Sequence, residues 1–403
     1  MNRLSQIYSH LHGKQSDLTS IKSKHPDDVV IVSALRTPIA RGRKGGFKDL
    51  KTEDILYLLL SEFKKQNIIE FEKIEDVACG NVLNPGAGAN ELRAAALAAG
   101  IPYQTPFVSI NRQCSSGLMS VNYIANQIAT GQINIGLACG AESMTTFFGP
   151  KAAPAISDLL LDESDEAAKC LIPMGITNEN IAEKFGIDRP TQDRFAANSY
   201  AKAEKALASN AFAQEILPIP VGDKVISKDE GVRPGTTFET LSKLRASFKQ
   251  DGTTHAGNSS QVSDGAALVL LARRSVAETL SLPIVGKYVS TQVVGVPPEI
   301  MGVGPAYAIP KLLSSVNVGV SDIDIFEINE AFAAQCLYSV ESCGIPYEKV
   351  NPRGGAIALG HPLGCTGARL VATLLSELIA GQLGVVSMCI GSGMGAAALF
   401  VKE

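Results

Sequence analysis

The chain has no tryptophan, only five histidines and no excess of either charge: 36 Lys and Arg stand against 40 Asp and Glu, a formal net charge of −4. Without a basic field, and without zinc-finger or basic-helix spacing, it carries no electrostatic footprint for nucleic acid. Its eight cysteines are spread singly, with no pair at CxxC spacing. In 403 residues that is not a disulfide framework. It fits a reducing compartment, in which each cysteine is either core filler or a nucleophile. Long hydrophobic runs are scarce as well. The longest uncharged run, Leu378 to Val401, is broken by glycines at 381, 384, 391, 393 and 395. It reads as helix end, strand, glycine turn and strand, not as a membrane span. No stretch has the form of a secretory signal peptide.

What is present is ample core material. Hydrophobic residues make up 45% of the chain and charged ones 19%, and the length implies two or three domains. Val29–Val32, 77–82, 107–110 and 133–140 read as short buried strands. Between them lie helical patterns: Thr52 to Lys65 with Thr52 as cap, Glu91 to Ala99, and Ser115 to Thr130. Strand and helix alternate, which argues for α/β layers. Residues 145–257 differ: they are richer in charge and proline and read as an insertion, with a helix over 192–209. Beyond Asp264 the apolar strands return at 266–271, 284–289, 323–328, 385–390 and 397–401. The outer segments look like weak copies of one another. Cys114 precedes a helix, and Cys139 follows the next strand 25 residues on; Cys365 precedes a helical stretch (369–380), and Cys389 follows 24 residues on.

Residues 1–27 lack a continuous apolar pattern. Within them Arg3-Leu4, five residues, then His10-Leu11 place Leu4, Ile7 and Leu11 at i, i+3, i+7 on one helical face. The plain reading is a frayed tail. The spacing resembles the nonapeptide that directs proteins to peroxisomes. A basic, acid-poor amino terminus also suits mitochondrial import.

Three segments carry chemistry. Cys114, in Asn111-Arg-Gln-Cys-Ser-Ser-Gly, sits between a strand and a helix, where a helix dipole favours its thiolate. The alternative is a buried structural cysteine. Gly354-Gly-Ala-Ile-Ala-Leu-Gly-His361-Pro-Leu-Gly-Cys-Thr-Gly holds a lone imidazole among glycines that permit close backbone approach, a fitting base for a thiol nucleophile. It lacks the lysine and spacing of a phosphate-binding loop. Cys389-Ile-Gly-Ser-Gly-Met-Gly follows a strand and leads into another, so it is no dinucleotide loop. Cys114, His361 and Cys389 lack metal-ligand pair spacing. Asn329 and Glu330 follow strand 323–328: Asn329 is an amide donor or a helix cap, and Glu330 a first-turn partner of the helix dipole.

Taken together, Asn111-Arg-Gln-Cys114-Ser-Ser-Gly-Leu, Asn329-Glu-Ala-Phe, Gly360-His361-Pro-Leu-Gly-Cys-Thr-Gly, Cys389-Ile-Gly-Ser-Gly-Met-Gly and Ala256-Gly-Asn-Ser-Ser260-Gln-Val-Ser-Asp-Gly-Ala resemble the thiolase family. With the amino-terminal nonapeptide they resemble its peroxisomal 3-ketoacyl-CoA-cleaving branch. The resemblance spans 28–403. It implies an α/β fold with a five-layered αβαβα core from two similar halves, 28–144 and 258–403, with 258–275 closing part of the first half. Residues 145–257 would be an inserted loop domain and 1–27 a flexible targeting segment.

It also implies roles. Cys114 carries the acyl group as a thioester, and His361 takes the proton from Cys114 or from incoming CoA. Cys389 handles the proton on the α-carbon. Asn329, through a water, and His361 hold the thioester oxygen, while the amides of Cys114 and Gly391 form a second oxyanion hole. Ser260 and Arg233 match positions that contact CoA. Met174 follows Pro173 where thiolases favouring acetoacetyl substrates usually show His-Met-Gly, and proline donates no hydrogen bond. That leans toward longer, degradative substrates. The resemblance implies CoA and acyl-CoA as substrates with no metal or redox cofactor, a homodimer, and an import receptor that reads Arg3, Leu4, His10 and Leu11. The rival readings are an acetoacetyl-CoA thiolase, a non-catalytic acyl-CoA or lipid carrier, and a mitochondrial address.

Overall fold

The computed structural model describes residues 18–149, 152 and 156–403; the address residues Arg3, Leu4, His10 and Leu11 lie outside them. The strands are β1 (Val29–Arg36), β2 (Ala40–Arg41), β3 (Asp76–Gly80), β4 (Phe107–Ile110), β5 (Ile135–Ser143), β6 (Ile219–Val221), β7 (Lys224–Ile226), β8 (Ser263–Arg273), β9 (Gly286–Gly295), β10 (Ile325–Ile328), β11 (Leu383–Ile390) and β12 (Met394–Lys402). All but the β6–β7 hairpin join one sheet in the order β10-β11-β12-β9-β1-β8-β5-β3-β4, with β2 beside β8.

The order contains one arrangement twice. In the first half β4, β3 and β5 run parallel, and β8 and then β1 add antiparallel. In the second half Val350 bridges Phe326 in parallel, β10 and β11 are parallel, and β12 and then β9 add antiparallel. The halves meet edge to edge, where Val30 pairs with Lys287 and Ile31 with Gly286. β8 follows the insertion in the chain yet belongs to the sheet of the first half.

The strand period of two sorts side chains into layers. Val30 and Val32 point to a core shared with helices Thr52–Lys65 and Ala89–Ala98. Val29 and Ile31 point the other way, to helices Ser116–Thr130 and Leu363–Glu377, and those helices also pack on Val386 and Met388 of β11. Leu383 and Val385 face a third core, made with helices Gly304–Ser315 and Ala333–Ser342. The result is five layers, αβαβα. Both faces of each half of the sheet are covered, which is why the strands read as unbroken apolar runs.

Two local expectations fail. Thr52 does not cap its helix: Lys51 holds that place, and the Thr52 hydroxyl donates to Asn84 Oδ1 (2.8 Å) and accepts from the Ser143 amide (3.2 Å). Cys365 lies inside the helix Leu363–Glu377, not before it, because Pro362 takes the cap position. No helix among the described residues is long and apolar enough to cross a membrane.

The described part of residues 145–257 has its longest helices at Met174–Phe185 and Arg189–Ala208 and is tied to β1. Arg36, fully buried, has its guanidinium 2.6 Å from Glu215 and 2.6 Å from Asp229. Burial by itself would strip that charge of water, and two carboxylates replace the solvent. Helix Arg189–Ala208 buries Ala196, Tyr200 and Ala203 in a core that includes Ile357, Ala358 and Leu359. The insertion thereby packs on the segment that leads to His361.

Candidate active site

The chain leaves β4 through a tight turn. Gln113 adopts a left-handed conformation (φ 48°), and its amide donates to Asn111 Oδ1 (3.0 Å) while Asn111 Nδ2 donates to the Val82 carbonyl (3.1 Å). Cys114 follows, half-buried, with Ser115 capping the helix Ser116–Thr130. Burial pushes the Cys114 thiol up to about 11, while the nearby Gly391 and Cys114 amides pull the other way. The helix dipole was expected to favour the thiolate. Loss of water outweighs it, so the resting group is a thiol.

His361 stands two residues before the helix Leu363–Glu377, as Cys114 stands two before its own. The two helix amino ends touch backbone to backbone. A Cβ on Gly117 would lie 2.6 Å from the Gly364 carbonyl oxygen, and one on Gly364 would lie 2.7 Å from Asn81 Cα. Only glycine allows that approach.

The imidazole has an assigned tautomer. Its Nδ1 lies 2.6 Å from the Thr366 hydroxyl, which gives its single proton to the Pro362 carbonyl at 2.9 Å. The hydroxyl therefore accepts from Nδ1–H, leaving the lone pair on Nε2. Asn329 Nδ2 donates to that Nε2 at 3.3 Å. Burial, and then the positive charge of Arg369, push His361 down to about 3, so the ring is neutral at neutral pH.

Asn329 is not a helix cap. Its amide donates to the Ser387 carbonyl of β11, and the following helix begins only at Ala333. Its Oδ1 is buried and accepts from none of the described residues. Glu330 is not a dipole partner either: its carboxylate accepts from Ser199 Oγ (2.7 Å), Asn351 Nδ2 (2.8 Å) and the Ile357 amide (3.3 Å), bracing the segment before His361.

Cys389 lies fully buried on β11, and burial, then the neighbouring Cys114, hold its thiol well above the ordinary value. It packs with Met301, Ala331 and Phe332. A Cβ on Gly391 would lie 3.7 Å from Gln113 Cγ and 3.7 Å from Met174 Sδ, which brings Met174 to the same point. Ser260 lies beside the Asn329 turn, its amide donating to the Ala331 carbonyl at 2.9 Å. Arg233 is farther out. Its loop rests on the His361 segment through Gln261 Nε2, which donates to the carbonyls of Gly231 (2.9 Å), Ile357 (3.1 Å) and Ala358 (3.0 Å). The fold thus gathers Cys114, His361, Asn329, Cys389, Gly391 and Met174, with Ser260 and Arg233 on adjoining loops.

Residues 29–275 match the family model of the thiolase N-terminal domain, and 282–402 that of the thiolase C-terminal domain. The chain belongs to the thiolase family. The peroxisomal 3-ketoacyl-CoA thiolase of Saccharomyces cerevisiae is 59% identical over 414 residues, covering 100% of this chain and 99% of its own length. The peroxisomal 3-ketoacyl-CoA thiolase B of Rattus norvegicus is 52% identical, covering 99% of each. The crystal structure of the dimeric peroxisomal thiolase of Saccharomyces cerevisiae matches with a TM-score of 0.92 at 61% identity, covering 96% of this chain and 100% of that one. The human mitochondrial 3-ketoacyl-CoA thiolase matches with a TM-score of 0.84 at 35% identity, covering 93% and 99%.

In this thiolase three site residues escaped the sequence reading: Gln113, whose strained turn presents Cys114; Thr366, which sets the tautomer of His361; and Glu142, buried beneath both turns. Thr366 had a signal, a hydroxyl five residues past a lone histidine. Gln113 and Glu142 had none.

Proposed function

We propose that this thiolase is a peroxisomal 3-ketoacyl-CoA thiolase, cleaving its substrate with CoA to acetyl-CoA and an acyl-CoA two carbons shorter. The Cys114 sulfur attacks the C3 carbonyl as its proton passes to His361 Nε2. A thiolate and an imidazolium formed together offset each other's charge in a site that tolerates neither alone. The amides of Cys114 and Gly391 hold the oxyanion. The C2–C3 bond breaks, leaving the acyl group on Cys114 and an acetyl-CoA enolate, which takes a proton at C2 from Cys389. The protonated His361 and a water on Asn329 steady the enolate oxygen; the orphaned, buried Oδ1 of Asn329 suits a water. His361 passes its proton to the Cys389 thiolate once acetyl-CoA has left; CoA then gives its thiol proton to His361 Nε2 and attacks the thioester, and Cys114 leaves as a thiolate that takes that proton back. Ser260, Met174 and Arg233 are proposed to contact CoA, and the enzyme to work as a homodimer with no cofactor beyond its CoA substrates.

The observation that carries this reading is the meeting of the Cys114 and His361 turns: a Cβ on Gly117 would lie 2.6 Å from the Gly364 carbonyl oxygen, and Asn329 Nδ2 lies 3.3 Å from His361 Nε2. The test is a panel of 3-ketoacyl-CoA chain lengths with CoA, following loss of the enolate absorbance. Longer chains should show higher kcat/KM than acetoacetyl-CoA, with parallel double-reciprocal lines. Intersecting lines would contradict a covalent intermediate, and a preference for acetoacetyl-CoA would favour the short-chain rival.

The address is proposed to lie in Arg3, Leu4, His10 and Leu11, read by a receptor groove that buries the Leu4–Ile7–Leu11 face. Leu4→Arg should leave a fluorescently tagged protein in the cytosol with its activity intact. Continued entry into peroxisomes, in cells without a native copy to pair with, would refute that address, as would delivery of the wild type to mitochondria.

A further inference from the structure

Glu142 lies one residue before the end of β5, is fully buried, and lies outside the proposed reaction. Its Oε1 accepts from Asn81 Nδ2 (3.1 Å) and the Leu83 amide (3.2 Å), and its Oε2 from the Val82 amide (3.0 Å) and the Gly364 amide (2.9 Å). Every partner is a donor, and the ionised carboxylate is the one side chain of this size that is purely an acceptor. The partners belong to two different supports. Residues 81–83 brace the nucleophile turn, since the Asn81 amide donates to the Ile110 carbonyl and the Val82 carbonyl receives Asn111 Nδ2, whose Oδ1 holds the Gln113 amide. Gly364 opens the helix whose first turn carries Thr366 and, through it, His361. One carboxylate therefore joins the Cys114 turn of the first half to the His361 turn of the second.

We infer that Glu142 is a positioning residue: it sets the approach of Cys114 to His361 and holds a negative charge behind the nucleophile. The inference rests on the proposed roles of Cys114 and His361. Both functions act through other residues, and each has its own signature. Burial pushes the Glu142 carboxyl up to about 7 while its four N–H donors pull it back, so above that pH the carboxylate is charged and opposes formation of the Cys114 thiolate. The reach fixes geometry, and small misplacements of reacting groups are costly.

Two variants separate these functions. Glu142→Gln removes the charge and turns an amide N–H toward an N–H donor. Turnover should fall about tenfold or more, while alkylation of Cys114 by iodoacetamide at pH 8 becomes faster. Glu142→Asp keeps the charge but is one methylene short of Gly364. Turnover should fall similarly, with the alkylation rate unchanged. Unchanged turnover in a folded Glu142→Gln variant overturns the inference, as does alkylation that is equally fast in both variants, which would mark simple loosening. If the Gln variant does not fold, the Asp variant decides: normal turnover overturns the positioning role, and reduced turnover at wild-type alkylation supports it. The wild-type acyl adduct, mapped in parallel, reports on the Cys114 assignment separately.

Discussion

Cys114→Ala is expected to abolish thiolysis, lowering kcat by roughly a thousandfold or more, because an entire covalent pathway is lost and not one stabilising contact. The substitution removes a single heavy atom, the sulfur, from a half-buried site at the head of a helix, so the fold should survive it. Cys389→Ala should behave differently. Acylation of Cys114 from a simple acyl-CoA moves no proton at the α-carbon, so that half-reaction should persist while cleavage of a 3-ketoacyl-CoA fails. Rapid-quench assays of the two half-reactions, with circular dichroism to confirm folding, check both results. Full loss of acylation in Cys389→Ala would show that the second thiol acts earlier than assigned.

His361→Asn is expected to lower kcat by about two to four orders of magnitude, the usual worth of a positioned acid–base group. The tautomer makes a second demand: Thr366→Val leaves Nδ1–H without its acceptor and should reproduce part of the defect. His361 also has a stability signature. Its folded value of about 3 lies below the ordinary 6.5, so the folded state refuses a proton that the unfolded chain takes up. The stability it contributes is present above about pH 6.5 and drains as pH falls from there toward about 3. Thermal melts between pH 7 and pH 4 should therefore fall less steeply for His361→Asn than for the wild type. Parallel curves would mean that the imidazole is protonated in the folded protein.

These groups were legible in the sequence to different depths. Val29–Val32 and the run into Cys389 announced buried strands because both sheet faces are covered. The lone histidine in a glycine-rich run pointed to close backbone approach, and Gly117 against Gly364 is that approach. The start of the helix Leu363–Glu377 was hidden because its first turn, Leu-Gly-Cys-Thr-Gly, has no apolar period, and the cap is a proline. The direction of the Cys114 thiol was misread because a helix dipole is local and visible in sequence, whereas burial depends on β11 and on the helix from the other half. Glu142 was invisible for the same reason: its donors lie 61, 60, 59 and 222 residues away. Asn329 looked like a cap because it stands between a strand and a helix, yet three residues intervene before that helix begins.

The most direct test of the account is to incubate the protein with an acyl-CoA, quench in acid, and map the acyl group by peptide mass spectrometry. A thioester is expected on the peptide containing Cys114, discharged by added CoA at a rate no slower than turnover. An adduct on Cys389, or none on either cysteine in a protein that turns over, would contradict it.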